Sequence, residues 1–196
     1  DNNNAISVDE EGNLPTQSIE DVKKFIKLGS VLPDANMSWR NDFRWRNFNF
    51  GFLLTARLGG VVYSRTQAVM DYYGVSASSA DARDAGGIVI NGNDLIDAQK
   101  WYQTVANGDT TPQYYTYSAT NVRLQEASIG YTIPRKKLGD VCDITLSIVG
   151  RNLWMLYNKA PFDPEAVATT SNYYQGIDYF MMPSLRSIGF NVRVKF

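Results

Sequence analysis

The side chains able to do chemistry are few and scattered. Asp163 and Glu165 flank Pro164, a spacing at which two carboxylates can act as acid and base or give oxygens to a calcium ion. No base accompanies them and Pro164 fixes a turn, so a structural role in a loop is the better reading. Asn91-Gly92-Asn93-Asp94 also reads as a turn, because the glycine position and the distant glutamate of a calcium loop are missing. Cys142 is the single cysteine; any disulfide would join two chains, and a small packed residue is its ordinary role. The 196 residues contain no histidine, which removes Ser–His triads, Cys–His dyads and imidazole-based zinc sites. No catalytic, metal or cofactor set is expected, and the chain reads as a non-enzyme.

The charges are almost balanced, 19 Lys and Arg against 20 Asp and Glu, so no general field draws in nucleic acid. Hydrophobic residues make up 44% and aromatic ones 13%, which rules out a disordered chain. The opening residues Asp1 to Asn4 are polar, and no apolar run approaches the roughly 18 residues of a spanning helix. A membrane β-barrel is not excluded by this, since its strands signal only through alternation.

The elements that must carry these residues read as follows. Residues 1–36 are loop and one short helix over 16–28, with Ser18 and Asp21 as a cap signal and Ile19, Val22, Phe25 and Ile26 at helical spacing. From Met37 the period becomes two: Trp39, Phe43 and Trp45 share one face, and Arg40, Asp42, Arg44 and Arg46 the other. After Arg46-Asn47, short enough for a hairpin, Phe48, Phe50, Phe52, Leu54, Ala56 and Leu58 alternate with Asn47, Asn49, Gly51, Leu53, Thr55 and Arg57. A third strand over 122–134 sets Ala127, Ile129, Tyr131 and Ile133 against Glu126, Ser128, Gly130 and Thr132. Two more follow over 143–153 and 185–196, the last with Ile188, Phe190, Val192, Val194 and Phe196 in one phase. Residues 59–121 read as an elaborate loop with a small hairpin at 88–93 and a helical turn near 95–102, and 154–184 as a second long connection.

Such strands fit either a soluble β-sandwich, for example a carbohydrate-binding module, or a membrane barrel. Three features favour the barrel. The strands approach ten residues, matched to a tilted bilayer crossing. Trp39, Trp45, Phe48, Trp154 and Tyr157 lie near strand ends, where an aromatic girdle belongs. Connections alternate short and very long, as periplasmic turns and extracellular loops do. The expected fold is thus all-β: an antiparallel transmembrane β-barrel segment over 37–196 with long extracellular loops. The visible strand count is odd, so the chain is expected to be the C-terminal portion of a longer barrel with its plug elsewhere.

Several motifs now occur in order: Leu28-Gly29-Ser30-Val31-Leu32-Pro33, Trp45-Arg46-Asn47-Phe48-Asn49-Phe50-Gly51-Phe52, Ala56-Arg57-Leu58-Gly59-Gly60, the run 121–134, Gly150-Arg151-Asn152-Leu153, Phe162-Asp163-Pro164-Glu165 and the closing 190–196. Together they resemble the C-terminal end of the SusC/RagA family of TonB-linked outer-membrane transporters of Bacteroidetes, over 29–196. The resemblance implies a large barrel in the cell outer membrane, a plug, energy delivered through TonB to an upstream segment, and a SusD-like lipoprotein as lid. It also implies import of glycan fragments or peptides.

Against that background, Arg40, Arg44, Arg46, Arg57, Arg151, Arg193 and Lys195 fall on the lumen-facing side and are expected mainly to pair with Asp42, Glu126 and similar groups. Tyr72, Tyr73, Tyr114, Tyr115, Tyr173 and Tyr174, with Asp163 and Glu165, are candidate contacts for ligand or lid; loop packing and girdle placement serve the tyrosines equally well. Phe190, Val192, Val194 and Phe196 resemble the terminal signal read by the outer-membrane assembly machinery, and would also face lipid at the barrel seam.

Overall fold

The computed structural model describes residues 8–9, 14, 27–92, 94–107, 111–169, 171–172 and 174–196. The helix expected over 16–28 falls outside these residues, apart from Lys27 and Leu28, which have no regular structure. In chain order the described residues form β1 (Ala35–Trp45), β2 (Phe48–Leu58), β3 (Val61–Ser64), α1 (Arg65–Tyr72), α2 (Ala77–Asp84), β4 (Ile88–Ile90), β5 (Asp94–Ile96), α3 (Ala98–Val105), β6 (Thr116–Ser118), β7 (Asn121–Ile133), β8 (Asp143–Asn158), β9 (Ile177–Asp178) and β10 (Ser187–Lys195). They divide into two units. One comprises 30–61, 118–166 and 182–196; the other comprises 62–117, 167–181 and described residues before Ser30.

The first unit is a five-stranded sheet in the order β1-β2-β7-β8-β10, antiparallel at every step. All five expected strands are present, and β8 runs past Leu153 to Asn158. Arg46 turns β1 into β2 with a φ of 53°, the left-handed conformation that primed hairpin turns need at their first position. The long connections leave β2 and β8 at the opposite end of the sheet from this turn.

Residues directly opposite each other in a sheet share a face, so the pairing spells out rows. Trp45, Phe48, Tyr131, Leu146 and Val192 form one row across all five strands, and Phe43, Phe50, Ile129, Ile148 and Phe190 the next. Ring contacts tie the rows together: Phe48 lies 5.0 Å from Tyr131 and 6.1 Å from Phe50 between centroids. Within this unit nothing covers the face, which leaves Phe190 83% and Val192 63% exposed. The unit's buried residues are instead small or polar, among them Ala119, Ala160, Asn121 and Arg123. A β-sandwich places such a face against a second sheet; here it stands bare, as on the outer wall of a barrel.

The pairing of β7 is irregular on both sides: its register with β8 shifts between Val122 and Arg123 and between Leu124 and Glu126, and its register with β2 shifts as well. Between β2 and β7 the register shifts at Leu53/Leu54, so that Glu126 pairs with Leu53 but Leu124 with Leu54, leaving Gln125 as an extra residue. This bulge reverses the phase of β7. Ala127, Ile129 and Tyr131 lie on the apolar face on one side of it and Leu124 and Val122 on the other, while Arg123 joins Glu126 on the polar face.

The second unit has an ordinary water-type core. Ile90, Ile96, Trp101, Tyr102 and Val105 pack together, with Val8, Leu14, Ala82 and Ile88 against them. The expected hairpin is β4 paired with β5, and Asn91 and Gly92 turn it with φ of 49° and 87°. The expected helical turn is α3, which starts later than anticipated because β5 occupies Asp94–Ile96 and Asp97 caps the helix, its carboxylate accepting from the N–H groups of Gln99 and Lys100. Helices α1 and α2 lie in a stretch that reads as loop in the sequence. Both are eight residues long and weakly amphipathic, so their only sequence signals are the caps Ser64 and Ser76.

The bare face makes a quantitative expectation. Phe190→Arg or Val192→Arg in the full-length protein should lower folding stability in lipid bilayers by about 2–4 kcal/mol near mid-depth, read from denaturant titrations. Asn191→Arg on the opposite face should cost less than about 1 kcal/mol.

Candidate functional site

The polar face of the sheet carries an ion ladder. Glu126 on β7 lies 3.2 Å from Arg151 of β8 and 3.9 Å from Arg40 of β1, and Arg40 also holds Asp42 at 2.9 Å. Arg44 donates to Asn49, Arg57 to the Val31 carbonyl, and Arg46 lies 5.4 Å from the centroid of the Trp45 ring. Arg40 and Arg151 thus pair with Asp42 and Glu126, as expected, while Arg44, Arg46 and Arg57 meet neutral partners instead. The pairs are well exposed, so each contributes only about 0–1 kcal/mol. Arg193 and Lys195 make no ion pair among the described residues.

At the end of the sheet from which the long connections leave, the bulge delivers Arg123 into a tighter cluster. Its side chain is 5% exposed and lies 2.7 Å from Asp163 and 3.3 Å from Glu165. Asp163 also accepts from the Glu165 N–H, the Ser184 N–H and the Ser184 hydroxyl, while Asn121 donates to Glu165. One carboxylate thus ties the first and last residues of the excursion 163–184 to each other and to β7. Burial opposes ionisation of Asp163, but the hydrogen bonds from Arg123, Glu165 and Ser184 outweigh it and hold the carboxyl below the usual carboxylate range. The pair Asp163 and Glu165 therefore holds a loop in place, with Glu165 the more exposed.

In the second unit, Asp71 on α1 is 3% exposed. Its two oxygens accept from Gln67, Ser78 and the Tyr115 hydroxyl. Burial, then the Asp71 charge, pushes Tyr115 far up, so it remains a protonated donor. The sequence pairs Tyr115 with Tyr114 as a candidate surface contact; at 1% exposure Tyr115 is instead a core residue. Tyr114 is half-exposed, its ring 5.0 Å from Tyr115 and 6.3 Å from Trp101, and Tyr174 is exposed. Tyr173 lies outside the described residues. Helices α1, α2 and α3 enclose a cleft of about 320 Å³ whose lining includes Tyr72, Tyr73, Arg83, Gln99 and Gln103. Phe190, Val192 and Val194 of β10 are exposed on the bare face, with Phe196 just beyond the strand.

Arg123, Ser184, Asp71 and Arg83 do not stand out in the sequence. Only Arg123 leaves a trace there: the apolar phase changes between Val122-Leu124 and Ala127-Ile129, which marks the bulge.

The cluster predicts an asymmetric response. Asp163→Ala leaves the buried guanidinium with Glu165 as its one remaining carboxylate partner and should destabilise by about 3 kcal/mol, against about 1 kcal/mol or less for Glu165→Gln, whose group is partly exposed. Because the folded Asp163 carboxyl titrates below its unfolded value of about 3.9, its contribution is fully present above that pH and is lost as pH falls through the lowered folded value. Asp163→Asn should flatten the loss of stability below about pH 4, measured by denaturant titration across pH.

No family model matches the chain. Two curated proteins of Formosa agariphila are similar to it. TonB-dependent receptor P3 is 26% identical over 185 residues, covering 86% of this chain and 17% of the receptor. TonB-dependent receptor P26 is 23% identical over 191 residues, covering 87% and 18%. The chain therefore spans less than a fifth of the length of these relatives. Among solved structures, the RagAB peptide importer in its closed-closed state superimposes with a TM-score of 0.68 at 16% identity, over 97% of this chain and 20% of the other. The open-open state gives 0.65 at 14%, over 98% and 20%. The chain is thus similar in sequence to two TonB-dependent receptors and in fold to a part of the RagAB importer, the kinds of protein to which its ordered motifs point.

Proposed function

We propose that this chain forms the closing wall and outer loops of a TonB-dependent importer in the cell outer membrane, taking up glycan fragments or peptides. The observation that carries the reading is the bare apolar face, a row of aromatic and aliphatic side chains repeated over five strands. Such a face is stable against hydrocarbon and costly against water. Similarity to TonB-dependent receptors supports energy coupling through TonB, and likeness in fold to RagAB, a peptide importer, supports uptake of oligomeric nutrients. In the whole transporter a SusD-like lipoprotein acts as lid over the long connections, with exposed Tyr114 and Tyr174 as candidate contacts.

The chain's own residues supply wall, positioning and loop anchoring, with no bond-making step. The polar-face ladder of Arg40, Glu126 and Arg151 lines the lumen, and Asp163 fixes the loop base. Phe190, Val192, Val194 and Phe196 serve as the terminal signal for the assembly machinery, since an apolar alternation ending in an aromatic is what that strand presents.

Deleting the gene should abolish growth on the imported oligomer while leaving growth on its monomers intact. Removing Phe196 alone should lower the amount of heat-modifiable barrel in the outer membrane several-fold with synthesis unchanged. Normal growth of the deletion strain on every glycan and peptide source offered would overturn the import reading.

A further inference from the structure

The cleft enclosed by α1, α2 and α3 has an unused charge. Arg83 is exposed on α2, and among the described residues no carboxylate lies within ion-pair distance of it. The guanidinium is nonetheless held: one terminal nitrogen donates to the Gly74 carbonyl at 2.8 Å. Gly74 makes room for it. Its φ is +69°, and a Cβ there would come 2.8 Å from the same nitrogen, so a side chain would both strain the turn and push the guanidinium away. Anchoring one nitrogen leaves the rest of the planar fork to meet a ligand.

The walls suit a small polar solute. Tyr72 and Tyr73 pack edge to face at 5.2 Å, with Tyr73 73% exposed, giving a ring surface beside the charge. Gln99 and Gln103 stand one turn apart on α3 and add amide groups. Asp71, also on the lining, is buried and its oxygens are turned to Gln67, Ser78 and Tyr115, which leaves Arg83 as the exposed charge of the cleft. Its volume of about 320 Å³ sits at the small end of the ~300–1,000 Å³ range of ligand pockets.

We propose that this cleft binds a carboxylate-bearing end of the imported solute, with Arg83 as the carboxylate partner and Tyr72 and Tyr73 flanking it. The inference rests on the import reading for the nature of the solute. Carboxylate is the anionic group that glycan fragments, as uronates, and peptides, at their C-termini, have in common, and the guanidinium fork matches it.

The test uses the purified full-length transporter in detergent and four probes: digalacturonate, its methyl ester, a tripeptide acid and its amide. One acid should bind at least about tenfold more tightly than its neutral partner, and which pair shows the difference identifies the source. Arg83→Gln should erase that difference and leave the neutral partner's affinity unchanged. Arg83→Lys, which keeps the charge but loses the fork, should retain a reduced preference. Equal binding of acid and neutral partner, no binding of either acid, or an acid preference that survives Arg83→Gln would overturn the proposal. Loss of nutrient growth on gene deletion combined with any of these results leaves the import reading standing and removes the cleft alone. Normal growth of that strain with an Arg83-dependent acid preference does the reverse.

Discussion

An apolar face that no other part of its unit covers is the constraint on which the sheet depends. In a water-soluble protein, rows such as Trp45, Phe48, Tyr131, Leu146 and Val192 would be the inside of the molecule. Here the inside is polar: the residues that do become buried in this unit include Asn121 and Arg123. That inversion requires hydrocarbon as the outer solvent, and hydrocarbon in turn imposes a second demand, because no strand can present unpaired N–H and C=O groups to lipid. The outer edges of β1 and β10 carry such groups, so the sheet is complete only as part of a larger closed wall.

The second unit obeys the opposite solvent rule within the same chain. Its aromatic residues Trp101, Tyr102 and Tyr115 are buried, and its helices are capped by Ser64, Ser76 and Asp97 in the manner of any aqueous domain. Ser64 shows how economically this is done. Its hydroxyl accepts from the Gln67 N–H at the start of α1 and donates to Asp178 of β9, so a single side chain begins a helix and joins two strands. Two residue patterns, period two with apolar side chains outward and period 3.6 with apolar side chains inward, thus coexist under one sequence.

Legibility followed these patterns. The five long strands and their shared face could be read because period-two alternation runs the length of most of them and over residues 126–133 of β7, beyond its bulge. The hairpin at Asn91-Gly92 could be read because the turn chemistry is local. The helices α1 and α2 could not, since eight residues with mixed polarity carry no periodic signal. The candidate sites were harder still. Asp163 and Glu165 stood out as carboxylates, but their partners Arg123 and Ser184 are 40 and 21 residues away from Asp163 in sequence. The cleft joins side chains from three helices, two of them signalled in the sequence only by a capping serine. Tyr114 and Tyr115 looked equivalent as neighbours, yet a short 3-10 turn over Pro112–Tyr115 points one toward solvent and the other into the core.

The bulge at Gln125 behaves like a change of reading frame. A strand in regular pairing commits every residue to one of two solvents by parity alone, so parity set at one end dictates the other. The extra residue breaks that inheritance midway along β7. The part of the strand beyond it answers to the loop base, where Arg123 must meet Asp163, and the part before it answers to the apolar wall through Ile129 and Tyr131. The offset is fixed by the backbone, so both parts hold their own phase at once. One strand thereby serves two masters, an apolar wall along most of its length and a buried ion pair at its far end.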